Sequence, residues 1–148
     1  MHNLSSHTQP CRSMNAVSAG TSDTQVGTAI DTLGWDGVMF VFMFGTITTS
    51  AVVTIKAQQG TASNGSDAAD LEGTAQSIAD TDDNKIACID IYKPRERYVR
   101  PVVTRATANA VIDGVIAILY RGDITPAAAH STAVRVAEAF NSPAEGTA

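Results

Sequence analysis

The stretch Val38-Met39-Phe40-Val41-Phe42-Met43-Phe44 is the longest apolar run of the chain, and it decides the fold class. Seven residues are too few for a membrane helix, which needs roughly 20, so the run predicts a buried β-strand. In the next stretch, residues 47–58, mostly apolar odd positions alternate with mostly polar even ones, which is typical of a strand with one buried face. Gly45-Thr46 predicts a tight turn between them, so the two stretches predict a β-hairpin.

Four further stretches also have the composition of strands: residues 24–31, 86–92, 97–105 and 110–120. Asp113-Gly114 predicts a bulge in the last of them. Pro101 predicts an edge or a bulge, because proline lacks the backbone N–H of a central strand. Short strands, turn residues and the lack of a long amphipathic helix predict an all-β fold, an antiparallel β-sandwich with a jelly roll as one arrangement. The order of the strands stays open.

The predicted strand over residues 110–120 is apolar on both of its faces. One face is expected to carry Ile112, Ile116, Ile118 and Tyr120, and the other Val111, Val115, Ala117 and Leu119. A strand of this kind is covered on both sides. We therefore expect it, like residues 38–44, to be able to supply an interface between subunits.

Both ends of the chain differ in composition from this core. Residues 1–22 are rich in Ser, Thr, Asn, His and Gly, and residues 122–148 are rich in Ala, Pro, Thr and Ser. Segments with so few large apolar side chains do not offset their own ordering entropy, so we expect a flexible N-terminal arm (1–22), a core (23–121) and a C-terminal arm (122–148). Within the last, residues 131–140 predict a short helix with a weak apolar stripe of Val134, Ala137 and Phe140.

Composition excludes several classes of protein. The 148 residues include 10 Lys+Arg and 15 Asp+Glu, a net charge of -5, which argues against a general nucleic-acid binder. The two cysteines, Cys11 and Cys88, are too few for a disulfide scaffold. The N-terminus has neither the basic nor the apolar region of a signal peptide, so we expect synthesis in a cytoplasm and no membrane association.

No set of residues predicts catalysis or a cofactor. All three histidines, His2, His7 and His130, lie in the predicted arms, where nothing would hold them in a fixed geometry. Asp80-x-Asp82-x-Asn84 is similar to the start of a calcium loop, but the sixth position is Lys85 and the twelfth is Ile91. We therefore predict an acidic turn whose carboxylates cap backbone amides, no metal site and no enzyme.

Half of the ten basic residues lie in one short span that also contains Tyr92 and Tyr98: Lys93, Arg95, Arg97, Arg100 and Arg105. Basic residues interleaved with aromatics can bind single-stranded nucleic acid. The acidic net charge favours another interpretation, in which the span forms ion pairs with the acidic loop 67–83 of the same or a neighbouring subunit. It could also dock on an acidic partner surface.

Several short motifs in order suggest a family. Asp31-Thr32-Leu33-Gly34-Trp35-Asp36 leads into the apolar run, and Val53-Thr54-Ile55-Lys56-Ala57-Gln58-Gln59 precedes the acidic loop. Ile89-Asp90-Ile91-Tyr92 and Arg97-Tyr98-Val99-Arg100-Pro101-Val102-Val103 close the series. Over about residues 23–121 this order resembles the small cement, or decoration, proteins encoded in the head-gene regions of tailed bacteriophages. The likeness implies a β-sandwich or jelly-roll domain on the capsid, and it implies no catalytic residues.

We therefore expect a non-enzymatic virion protein that stabilises the outer capsid shell. Its expected partners are the major capsid protein and further copies of itself, as a homotrimer or homodimer, with both arms contacting the capsid. The candidate interface residues are Val38, Phe40, Phe42, Phe44, Arg95, Arg97, Tyr98 and Arg100. One alternative is a receptor- or glycan-binding module of a fibre, which would need solvent-facing Trp35, Tyr92 and Tyr98. Another is a head-completion or tail protein, arranged in rings of six or twelve.

Overall fold

The computed structural model describes residues 4–123 and residue 134. The regular secondary structure of this part is one short 3-10 turn, Leu4–Ser6, followed by β-strands joined by turns and loops. The strands are β1 (Thr8–Met14), β2 (Val17–Gly20), β3 (Asp23–Val26), β4 (Ile30–Asp31), β5 (Trp35–Ile47), β6 (Val52–Gly60), β7 (Ala69–Asp70), β8 (Gln76–Ile78), β9 (Ile86–Tyr92), β10 (Tyr98–Ala106) and β11 (Ala110–Gly122).

Two antiparallel sheets pack face to face as a β-sandwich. The first sheet has the order β1-β11-β5-β9, with β2 also paired to β11, and the second has the order β3-β10-β6-β7. In the second sheet β4 also pairs with β10 and β8 with β6. The pairs β1–β11, β3–β10, β5–β9 and β6–β8 lie one inside the next along the sequence, so the chain is wound as nested pairs. This is the strand order of a jelly roll.

The core lies between the two sheets and is filled by their inward side chains. The largest fully buried residues include Phe40, Phe42, Ile55, Ile112, Val53, Val99 and Val103. β5 contributes the even positions of the apolar run, so Val38, Phe40, Phe42 and Phe44 all point inward and are buried. The predicted buried strand is confirmed, and its side chains form the largest share of the aromatic core.

The predicted hairpin between residues 38–44 and 47–58 is wrong, because β5 and β6 lie in different sheets. Both strands carry a full row of apolar side chains, and these rows bury each other only when they face across the sandwich. Gly45-Thr46 therefore continues β5, and the chain turns at Ser50, which has a φ of 71°. The Ser50 N–H donates to Asp80 (2.7 Å) and the Ile47 N–H to Asp83, so the acidic turn caps this corner as predicted.

The N-terminal segment is not the flexible arm that its composition predicts. β1 pairs along β11 from Thr8↔Tyr120 to Met14↔Val115, and β2 pairs with the start of β11. Ser13 and Met14 are buried. The prediction considered the side chains of this segment alone, whereas an edge strand is held by backbone hydrogen bonds that need no apolar residues. Of the predicted C-terminal arm, Gly122 ends β11, Val134 lies on the first sheet, and 124–133 and 135–148 fall outside the described residues.

A β-bulge in β11 changes which residues face the core. The register shifts between Ile112 and Gly114, whose φ is 142°, which confirms the bulge predicted at Asp113-Gly114. The extra residue puts Ile112 on the inward side together with Val115, Ala117 and Leu119, so the predicted grouping of Ile112 with Ile116 is wrong.

Pro101 lies in a central strand, neither at a sheet edge nor at a bulge. Its backbone carbonyl points to the gap between β3 and β4, where it accepts a hydrogen bond from the Gly27 N–H (2.9 Å). The N and O atoms of one strand residue point to the same neighbouring strand. The missing N–H of Pro101 therefore falls where neither β3 nor β4 pairs with β10.

Candidate interaction surface

The two sheets present outer faces of opposite character. Across the second sheet, pairs in register place Thr24, Thr54, Thr104 and Ser77 in one outward row. A second polar group follows on β6, where Asp70 accepts hydrogen bonds from Lys56 (2.7 Å) and Gln58 (2.7 Å). These groups bond one another, so the centre of this outer face is suited to water, whereas Val26 and Val52 on the same side of the sheet are exposed apolar residues.

The outer face of the first sheet is apolar. Residues that pair directly across a ladder lie on the same side of the sheet, so the register defines this side. Val41 pairs with Ile116 and Cys88, Met39 with Ile118 and Asp90, and Met43 with Gly114 and Ile86. We call the apolar members of this set the apolar face: Met39, Val41, Met43, Ile86, Ile116 and Ile118. Most are partly buried, and Ile86 at the edge is 67% exposed.

One end of the apolar face carries two tyrosines. Tyr120 and Tyr92 flank Gly37 in register, and a Cβ at Gly37 would clash with the Tyr120 ring, so the ring lies over the glycine. The Tyr120 hydroxyl donates to Asp90 (2.6 Å). Burial first, and then this bond to a carboxylate, raise the pKa of Tyr120 above its usual value. The phenol is therefore held protonated, as a fixed hydrogen-bond donor.

The other end of the apolar face contains a pocket of about 270 Å³. Gly114 lies in the outward row opposite Met43 and has no side chain to fill the space, while Pro10 and Arg12 of β1 form the far wall. Ile116 and Val134 also line the pocket. The bulge and its glycine thus create a depression in an otherwise continuous apolar sheet.

The apolar residues of the predicted interface do not reach the surface. Val38, Phe40, Phe42 and Phe44 are at most 2% exposed in the single chain, so they are core residues and cannot contact a partner. The odd-numbered residues of the same run, Met39, Val41 and Met43, form the surface instead. The sequence showed that both sides of this strand are apolar, but not which side the core takes.

The basic residues of the predicted interface bond mainly within their own sheet. Arg97 forms a bidentate pair with Asp31 (2.7 and 2.8 Å) and lies over the Tyr98 ring, which is partly buried. Arg100 donates to Gln58 (2.9 Å), and Arg95 is exposed. None of these hydrogen bonds and ion pairs involves the loop 67–83, so the ion pairs predicted between these residues and that loop within one subunit are not formed.

Arg105, the last residue of the basic span, is buried. Its guanidinium donates to both carboxylate oxygens of Asp23 and to the carbonyls of Ser18 (2.7 Å) and Ala110 (2.6 Å). The side chain is 2% exposed. This cation ties β2, β3, β10 and β11 together, so its role is structural, and sequence reasoning missed it because no local pattern marks a buried arginine.

The three aromatic residues that glycan binding would need do not share one face, because Trp35 and Tyr92 lie on the first sheet and Tyr98 on the second. Trp35 is partly buried, and a Cβ at Gly122 would touch its ring at 2.9 Å, so the indole covers that glycine. Tyr98 lies under Arg97 on the second sheet. Tyr92 is 53% exposed, with Lys93 and Arg121 close to its ring.

The acidic loop bonds its own backbone. Asp67 accepts hydrogen bonds from the Thr61 hydroxyl, the Thr61 N–H (2.9 Å) and the Ala62 N–H (3.0 Å), which together lower its pKa to about 2. Asp82 accepts from the Ala79 N–H and from Lys85. Within residues 4–123 and 134, no three His, Cys, Asp or Glu side chains are grouped so as to hold a metal. No helix in that part of the chain is long and apolar enough to cross a membrane.

Comparison with known proteins assigns the chain to no family. No protein-family model matches the chain, and no curated protein matches it. One solved structure, described as "Bacillus endospore appendages form a novel family of disulfide-linked pili", is similar at 11% sequence identity. The match covers 82% of this chain and 96% of that chain with a TM-score of 0.45. A likeness at this identity and score carries no argument about function.

Proposed function

We propose that this chain is a non-enzymatic structural protein of a tailed-phage virion, a cement protein that stabilises the outer capsid shell. Its partners are the major capsid protein and further copies of itself, as a homotrimer or homodimer, and it works on the capsid surface after synthesis in the host cytoplasm. The observation that supports this proposal is the contrast between the two outer faces. One is polar and internally bonded, and the other is apolar across three neighbouring strands.

A flat apolar sheet face suits the binding of a folded partner surface. Monomeric proteins rarely expose large contiguous apolar patches, and such patches mark contact sites. A jelly-roll sandwich also supplies a rigid body, so little conformational entropy is lost when its face is covered. A cement protein needs only modest contacts in each copy, because many symmetry-related copies bind one shell and their avidity holds it together.

The proposal is tested first by position and copy number. Cryo-electron microscopy of intact virions should find hundreds of copies spread with icosahedral symmetry over the capsid. A dozen or fewer copies at one vertex or along the tail would instead indicate a head-completion, tail or fibre component.

A matched pair of variants then tests the face itself. Val41→Lys places a charge in the centre of the apolar face, and Thr54→Lys places the same charge in the centre of the polar face of the second sheet. Burying a valine side chain contributes about 1.5–3 kcal/mol, so Val41→Lys should weaken capsid binding roughly 10- to 100-fold per contact. Thr54→Lys should bind like the unchanged protein. Equal binding by both variants would show that the apolar face does not contact the capsid.

A further inference from the structure

The pocket at one end of the apolar face is lined by a residue from far along the chain. Pro10 and Arg12 come from β1, Met43 from β5, and Gly114 and Ile116 from β11. Val134 also lines the pocket, and it lies eleven positions after Asp123, where the continuous described chain ends. Val134 is partly buried there.

The glycine explains why an aliphatic side chain fits at this place. The outward positions of β11 after Gly114 carry large side chains, namely Ile116, Ile118 and Tyr120, whereas Gly114 has no side chain. The backbone is held there by the bulge, and a Cβ at Gly114 would lie 3.1 Å from the Met14 carbonyl oxygen and 3.8 Å from the Met43 methyl group. The depression is thus built into the sheet, between the backbone of Met14 and the side chain of Met43.

The length of the chain decides how Val134 reaches the pocket. β11 ends at Gly122, eight residues from Gly114, which corresponds to about 27 Å along the sheet. Eleven residues span at most about 36–40 Å when fully extended. Eleven residues are therefore enough to join the end of β11 to the position of Val134 in the pocket.

We propose that the C-terminal segment of this same chain docks on the apolar face, with Val134 as its anchor in the pocket at Gly114. We name this segment as the occupant because it begins at the far end of the same face and is long enough to reach the pocket. Beyond Val134 the sequence offers further apolar residues, Val136 and Phe140. This proposal does not depend on the capsid role, and it would make the segment and a capsid subunit compete for the pocket.

The test is a crosslinking comparison in the full-length chain. Cys11→Ala and Cys88→Ser remove the native thiols, and Met43→Cys with Val134→Cys introduces one thiol on each side of the pocket. The control pairs Val134→Cys with Thr54→Cys on the outer face of the second sheet. Both proteins are treated at micromolar concentration with a short bis-maleimide, and the products are identified by intact mass and by mass spectrometry of peptides.

The expected result is an intramolecular link between positions 43 and 134, independent of protein concentration. Its yield should exceed that of the control pair by about tenfold or more, because docked thiols have an effective concentration in the millimolar range. Equal yields for the two pairs would overturn the proposal. Links found only in dimers, at yields that rise with concentration, would overturn it too and would assign the face to a second copy.

A second measurement does not rely on crosslinking. Val134→Asp places a charge in the apolar pocket, while Val134→Ile keeps the anchor. In the full-length protein, hydrogen exchange in β1 peptides should rise in the Asp variant and stay unchanged in the Ile variant, with the second sheet unaffected in both. Unchanged exchange in the Asp variant would show that Val134 does not cover the pocket.

Discussion

The buried ion pair of Arg105 and Asp23 allows a sharp test of what holds the sandwich together. Asp23→Asn removes the charge of the carboxylate and keeps its shape, so the guanidinium stays buried without a counter-ion. Removing one partner of a buried pair costs about 3–5 kcal/mol. The Asp23 side chain is 34% exposed, so water partly replaces it. We therefore expect a loss of about 2–3 kcal/mol in the free energy of unfolding, out of a typical 5–15 kcal/mol.

Substitution of the other partner, Arg105, should have a different effect on stability. Arg105→Met keeps the apolar stem and releases Asp23, which water can reach. Its cost comes mainly from the Ser18 and Ala110 carbonyls, which each lose a hydrogen bond worth about 1 kcal/mol. The double variant should then cost about 2 kcal/mol, close to Arg105→Met alone, because no buried charge remains without a partner.

Urea unfolding followed by Trp35 fluorescence measures these differences. The matched control is Asp31→Asn, which breaks a bidentate pair of the same type between side chains that are 48% and 44% exposed. Solvent replaces the lost partner at that site, so its midpoint should shift much less than that of Asp23→Asn. Additive costs in the double variant, or equal shifts for Asp23→Asn and Asp31→Asn, would refute the role given to burial.

Three further predictions concern pH and the N-terminal strand. The pKa values of Asp23, Asp31 and Asp67 lie below the usual value because these carboxylates accept hydrogen bonds from Arg105, Arg97 and Thr61, respectively. Their contribution to the free energy of unfolding is therefore present above about pH 4 and is lost as the pH falls below that value. Urea midpoints that are equal at pH 2.5 and pH 5 would contradict this. The raised pKa of Tyr120 predicts that one of the three tyrosines stays protonated well above pH 10 in an absorbance titration, and that this late ionisation disappears in Tyr120→Phe. The stability it contributes is present below about pH 10 and lost as pH rises further. Deleting residues 1–15 removes β1 and exposes the edge of β11, so calorimetry should show no cooperative transition; an unchanged midpoint would mean that β1 is dispensable.

The sequence predicted the strands well wherever alternation was clear. Residues 86–92 were predicted as a strand and form β9 with the same bounds. The bulge at Asp113-Gly114 also followed from the sequence, because a glycine inside a strand pattern marks a place where the register shifts. The capping role of the acidic turn was predicted as well, because Lys85 and Ile91 stand where a calcium loop needs Gly and Glu, and Asp80 and Asp83 supply the caps.

The interaction surface was only half predictable. The apolar run showed two apolar sides, which is the signature of a strand covered on both faces. Periodicity of two assigns Met39 and Phe40 to opposite sides, but it does not say which side meets the core. The sequence analysis predicts the even positions as the interface. In the structure they lie in the core, because Phe40 and Phe42 fill the space between the sheets.

By itself, the sequence determined an all-β chain, a sandwich and the position of most strands, because alternation of side chains is a local property of the backbone. Tertiary structure alone decided that β5 and β6 belong to different sheets and that residues 8–20 complete the first sheet. It also decided that Arg105 is buried with Asp23, 82 residues away. These features depend on which strands pair, and pairing is decided by the joint burial of all inward rows and by backbone hydrogen bonds, neither of which leaves a local pattern.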